Sequence, residues 1–195
     1  DIAKYLLENG MEYKENSTEL SDAIGYAALC GDLDTLKMIY KYTDLSDSDI
    51  YTIISYDMKC SNDEYIEGIE YLVSKMSDIN TYIDNPNETI LCLAVYNELE
   101  KTSKMLIEHG AEVNLHIIYN AENVGNSELM KVLLNNFDIK SVSEEERQKL
   151  LYKMIENGDY EIAKYLIDKG VSIGKDSKEY LEDCPVTKMK SLLEK

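Results

Sequence analysis

Apolar residues along this chain come in short bursts spaced i, i+3 and i+4, the pattern of one-sided helices, and the bursts themselves recur. DIAKYLLENG at residues 1–10 is nearly rewritten as EIAKYLIDKG at 161–170. Taking one apolar anchor near the end of each burst gives Leu6, Ile39, Leu72, Leu106, Leu133, Leu166 and Leu192. These are separated by 33, 33, 34, 27, 33 and 26 residues. Four intervals within one residue of 33 mark a repeat rather than chance. Each anchor lies on a short helix with a single apolar stripe. The stripes read Ile2, Ala3, Leu6 and Leu7, then Leu36, Ile39 and Tyr40, then Ile69, Leu72 and Val73, with similar sets at Met105/Leu106 and Leu129/Val132/Leu133.

A second short apolar helix precedes most anchors, over residues 23–29, 50–56, 89–96, 117–124 and 150–155. Gly10, Gly110 and Gly170 close several anchor helices, where a left-handed cap costs glycine least. S-x-x-E boxes at Ser143/Glu146 and Ser61/Glu64 open two others. The predicted unit is helix, tight turn, helix, connector, and the predicted class is all-α. Composition agrees. Two prolines (Pro86 and Pro185) and nine glycines are too few for a chain of β-turns, while 44% apolar residues suffice for a core.

The clearest copy is TILCLAVYNELEKTSKMLIEHGAEVN at 89–114. Thr89, Leu91 and Ala94 stand at the fixed positions of T-P-L-H-x-A, with Ile90 and Cys92 replacing its proline and histidine. The close, LIEHGAEVN, is similar to LLxxGADVN. Residues 22–42 carry Ala27, Ala28 and Gly31 at the paired-alanine and glycine positions, and 149–173 keeps Gly158, Asp159 and Gly170. On these motifs the chain resembles the ankyrin repeat family. That resemblance implies one domain over 1–195, a solenoid of stacked helix-turn-helix repeats of about 33 residues. Its parts are a half repeat at 1–16, repeats at 17–46, 47–83 and 84–114, a short repeat at 115–141, a repeat at 142–174 and a truncated one at 175–195. Connectors after Thr43, Gly110 and Gly170 are short, those at 76–89 and 137–149 are full, and an insertion at 58–63 lengthens one inner turn. Uneven fingers are therefore expected. Tyr5, Tyr71 and Tyr165 recur just before an anchor and are expected to pack between units.

Charge narrows the partner. Acidic residues number 38 and basic ones 20, a net −18. Nucleic acid and anionic membranes attract the opposite sign, so neither is an expected partner; a basic protein would be steered in, more weakly as salt rises. The plainer alternative is an acidic shell that keeps the protein soluble. No apolar run approaches the ~20 residues that span a bilayer. Cys30, Cys60, Cys92 and Cys184 form no CxxC pair and read as buried thiols of a reducing, intracellular and cytoplasmic setting.

Candidate chemistry is sparse. GVSIGKDS at 170–177 has one residue too few between its glycines, and Asp176 stands where Ser or Thr should hold magnesium. Asp44, Asp47 and Asp49 lack the glycine and glutamate of a calcium loop and read as a helix N-cap cluster. His109 and His116 are too far apart for a metal pair on one helix; the first reads as a solvated loop residue, the second as the opening of the next helix. No enzyme activity, cofactor or metal is expected. Tyr56, Tyr96, Asn97, Asn123, Val124, Glu156 and Asn157 fall at the ends of first helices, which in ankyrin-like stacks border the concave face. They are the candidate partner-binding residues, with capping of the inner turn as the competing reading. The expected function is non-catalytic binding of a protein partner by a monomer. A half repeat opening at Asp1 raises a second expectation, that the array is the recognition arm or scaffold of a longer enzyme or effector.

Overall fold

A computed structural model describes residues 18–60 and 66–194. The half repeat expected over 1–16, with Tyr5, and the Ser61/Glu64 box lie outside the described residues. The rest is helical, and among the described residues there is no strand. In chain order the elements are α1 (Thr18–Leu29), α2 (Leu33–Tyr40), α3 (Asp47–Cys60), α4 (Ile66–Val73), α5 (Ile90–Tyr96), α6 (Glu100–Glu108), α7 (Leu115–Val124) and α8 (Ser127–Asn135). A 3-10 turn at Ile139–Ser141 leads to α9 (Glu144–Glu156), α10 (Tyr160–Asp168), α11 (Lys175–Asp183) and α12 (Thr187–Lys190), and a 3-10 turn at Ser191–Glu194 follows. The chain divides into two compact units, Asp1–Asn120 and Ala121–Lys195.

In the first unit, α1 packs on α3 and α3 on α5, while α2 packs on α4 and α4 on α6; each helix also touches the other member of its own pair. In the second unit α8 packs on α10 and α9 on α11. The anchors fill these contacts: Ile39, Leu72, Leu106, Leu133, Leu166 and Leu192 are all buried. Side-chain hydrogen bonds repeat the period. Asp47 accepts from the Ser77 amide (2.9 Å), the Ser77 hydroxyl (2.6 Å) and the Asp78 amide (2.8 Å), 30 and 31 residues on. Asn80 accepts from the Glu112 amide 32 residues on (2.9 Å). Tyr71 meets Tyr40 edge-on at 5.7 Å between α4 and α2, and Tyr165 donates to Asn135 between α10 and α8. The expected packing role of both tyrosines between successive pairs is what the structure shows.

Four of the pairs share one turn geometry. Gly31, Gly125 and Gly158 sit at φ of 70°, 76° and 77°, and Glu98 takes the same position at 60°. The following amide then reaches back five residues at Asp32, Leu99 and Asp159, each 2.9 Å from the carbonyl of Ala27, Ala94 and Met154. A side chain at or beside that point caps the second helix: Asp32, Asn126 and Asp159 each accept from the amide three residues on. Leu99 has no such cap, so its pair lacks both the glycine and the capping oxygen. The Ser143/Glu146 capping box is present in full.

Several local expectations change. Ser46 and Asp49 form the reciprocal cap, while Asp47 serves the next connector instead of its own helix. The Ser77 hydroxyl, foremost, holds the Asp47 carboxyl below the usual carboxylate range. Its contribution is therefore full above the ordinary Asp value and lost as pH falls through the lowered one. Asn114 caps Ile117 (3.0 Å), leaving His116 exposed in the first turn of α7 rather than at its opening. His109, expected as a solvated loop residue, is exposed in the turn just after α6, with its Nδ1 2.9 Å from the Met105 carbonyl. The insertion begins by prolonging α3 through Cys60 with Met58 buried, so its first half is helix, not turn. Cys92 is buried, and burial, foremost, pushes its thiol up; Cys30 is exposed and Cys184 half-buried. The cysteines therefore give no uniform argument for a reducing compartment.

Two substitutions test this packing. A Cβ on Gly68 of α4 would lie 2.7 Å from the Ala28 Cα and 2.8 Å from its carbonyl oxygen. Gly68→Ala is therefore expected to lower stability by about 1–3 kcal/mol, although alanine is the better helix former. Glu98→Gly is expected to raise it by about 0.5–1 kcal/mol by removing a left-handed non-glycine residue. Urea unfolding followed by circular dichroism measures both, and a stabilised Gly68→Ala protein would show that α1 and α4 are not in backbone contact.

Candidate functional site

The candidate residues divide between the two units. In the first, Tyr56 and Tyr96 are 66% and 70% exposed on the neighbouring helices α3 and α5. Asn97 is half-buried, and its Nδ2 donates back to the Leu93 carbonyl at 2.8 Å, so it finishes α5 rather than facing outward. The structure adds Tyr26, 69% exposed on α1, the helix that packs beside α3. Tyr26 lies five residues before its left-handed turn residue and Tyr96 two before, a difference of three that keeps both on one face of their helices. Leu29 and Leu93, half-buried, lie on the same strip. Each of α1, α3 and α5 thus exposes one large aromatic ring. Lys59 stands over the Tyr56 ring at 5.4 Å, a cation on a π face.

In the second unit Asn123 and Glu156 are exposed, Val124 is half-buried, and Glu156 accepts weakly from the Tyr152 hydroxyl at 3.4 Å. Asn157 is exposed, but its Nδ2 donates to Glu122 Oε1 at 2.6 Å. Glu122 is the residue that sequence reading passed over. It lies three before its left-handed glycine, the position that Ala28, Val95 and Ile155 hold before the left-handed residues of three other pairs, and all three of those are buried core. Its side chain is only 7% exposed. Lys153 Nζ lies 3.0 Å from Oε2, so Lys153 and Asn157 each satisfy one carboxylate oxygen. Register alone could have exposed it: a carboxylate where its counterparts are apolar.

Beside Glu122 lies a cavity of about 330 Å³ between the inner turns of the α7–α8 and α9–α10 pairs. Asp159, one of its lining residues, accepts from the Ser127 hydroxyl at 2.6 Å and from the Ile162 amide at 3.2 Å. Among the described residues no group of three or more His, Cys, Asp or Glu is placed to hold a metal ion. Likewise no described helix is long and apolar enough to cross a membrane.

No family profile matches the chain. Over 138 residues, 68% of its length, it is 28% identical to Alpha-latrocrustotoxin-Lt1a of Latrodectus tredecimguttatus. Over 125 residues, 60% of its length, it is 26% identical to Alpha-latroinsectotoxin-Lt1a of the same organism. Those alignments cover 10% and 9% of the two relatives, so the chain spans about a tenth of their length.

The Glu122–Lys153 pair makes a sharp prediction. Removing one partner of a buried pair leaves the other charge without compensation, whereas apolar replacement of both is neutral or stabilising. Lys153→Met is expected to cost about 1–3 kcal/mol, reduced from the fully buried case because Lys153 is 37% exposed. Glu122→Val combined with Lys153→Met, which restores the apolar core of the other pairs, is expected to be at least as stable as the parent. Urea midpoints of the three proteins give the result; equal midpoints for parent and Lys153→Met would mean that the pair carries no stability.

Proposed function

We propose that this chain is a non-catalytic protein-binding segment, built from ankyrin-like repeats, of a longer multidomain protein. The 33-residue spacing of the anchors and the packing of like helix on like helix within each unit support a repeat stack. Protein binding rests on one observation above others: three tyrosines, 69%, 66% and 70% exposed, on three helices packed side by side. Tyrosine supplies contact area and a polar tip while losing few rotamers, so an exposed row of rings suits recognition. In an ankyrin-like stack, ends of first helices border the concave face, which makes this strip the docking surface. Tyr26 joins Tyr56 and Tyr96 there, and Asn97 supports the edge.

The partner is a basic protein. Residues 1–120 hold 23 acidic and eight basic residues, a net −15, whereas 121–195 hold 15 and 12, a net −3. The attraction of a basic surface is thus concentrated in the unit that carries the tyrosines. Matching about a tenth of two much longer proteins named as toxins favours a recognition role within a larger effector.

The test is affinity capture with the purified chain, followed by titration of the captured protein. Replacing Tyr26, Tyr56 and Tyr96 together by alanine is expected to weaken binding about tenfold or more. Raising sodium chloride from about 50 to 300 mM is expected to weaken it further. Unchanged binding by the triple variant, with loss on changing the exposed Glu67 and Glu108 of the second helices to alanine, would move the site to the other face.

A further inference from the structure

We propose that the cavity in the second unit receives one organic monocation, the ammonium or guanidinium head of a lysine or arginine side chain. Taking that side chain from a bound protein rests on the reading just given; the chemistry of the cavity does not. It is a half-open pocket of about 330 Å³ between two inner turns, and its lining is of two kinds. Glu122 and Asp159 bring two carboxylates, and no lysine or arginine lines the cavity. Met130 and Met154 bring two thioethers, soft and flexible enough to fit an aliphatic stem.

The hydrogen bonds leave room for such a head. Each oxygen of Glu122 accepts from one donor, Lys153 or Asn157, and each oxygen of Asp159 from one, the Ile162 amide or the Ser127 hydroxyl. A carboxylate oxygen has two lone-pair sites, so both groups keep acceptor capacity. Of the two negative charges in the lining, Lys153 is set against Glu122, while Lys131 is bonded to Glu128 and acts on Asp159 only as a more distant charge, so the charge of Asp159 is still to be matched directly. A monocation matches it, while an anion would be repelled. Glu122 also departs from its register, which places Ala28, Val95 and Ile155 in the core elsewhere. A charge held there at 7% exposure is a poor way to make stability and a good way to make a site.

The experiment titrates the full chain with N-acetyl-arginine methylamide, N-acetyl-lysine methylamide and the neutral N-acetyl-norleucine methylamide, with potassium chloride fixing ionic strength. Amide resonances of Gly125 and Gly158 and the methyl resonances of Met130 and Met154 report binding. At least one cationic probe is expected to saturate these shifts while the neutral probe does not. Asp159→Asn, which keeps the capping oxygen, and Glu122→Gln are each expected to weaken binding about tenfold. Should Glu122→Gln lose helical signal, Asp159→Asn decides alone. Equal response to the neutral probe, no response to either cation, or undiminished affinity in Asp159→Asn overturns the proposal. Alanine at Tyr26, Tyr56 and Tyr96 leaves the cavity intact, so failure of the tyrosine strip and failure of this site are separately visible.

Discussion

A two-helix unit of this size has apolar residues on the flanks of both helices, and its own partner helix can cover only part of them. The remainder must be covered by the next unit, whose flanks have the same need. Leu72 and Leu106 are buried between successive second helices for this reason, as Ile54 and Leu91 are among the first. How closely two units approach is then set by the smallest side chains in the seam. Gly68 lies against the Ala28 backbone so closely that even a methyl group would not fit, and that contact fixes the spacing of α1 and α4. The polar bonds from Asp47 to Ser77 and from Asn80 to Glu112 follow from the same stacking, since they join groups that only stacking brings together.

The inner turn concentrates several demands in very few residues. It must reverse the chain, end one helix and begin another, and satisfy the amides and carbonyls that both ends expose. A left-handed residue and a capping oxygen solve this at Gly31/Asp32 and Gly158/Asp159. The same turns hold polar side chains at the margin of the core. Asp159 both caps α10 and lines the cavity, so one carboxylate serves the fold and the lining together. Glu122 and Asn157, near two successive turns, meet because those turns stack.

Much of this architecture was legible in the sequence because it rests on spacing. The anchors, the closing glycines and the Ser143/Glu146 box are local patterns with one physical meaning each, and the described anchors are buried. Features that depend on a neighbour one repeat away were not legible. Nothing in the string announces that Asp47 would abandon its own helix for Ser77 and Asp78. Tyr26 was not legible because it stands one turn earlier in its helix than Tyr96 does, on the same face. The direction of the Asn97 side chain was not legible either, since it folds back to the Leu93 carbonyl. Glu122 was hidden by abundance, one acidic residue among 38, until burial separated it from the others.

The two units differ in chemistry although both are built of paired helices. One holds most of the net charge and presents rings to solvent; the other is close to neutral and withdraws a carboxylate into a cavity lined by thioethers. Long-range attraction and close discrimination obey different physics. Net charge acts over several ångströms, raises encounter rates and fades with salt, whereas a buried carboxylate is shielded from salt and acts only on what enters beside it. In the repeat arrangement proposed above, apolar flanks carry the packing inside each compact unit, which leaves the turn residues and the outer strip open to change. Replacing one buried apolar residue by glutamate is then tolerable in a single unit, provided that Lys153 and Asn157 of the following pair meet it. The cost falls locally, at the inner turns of those two pairs.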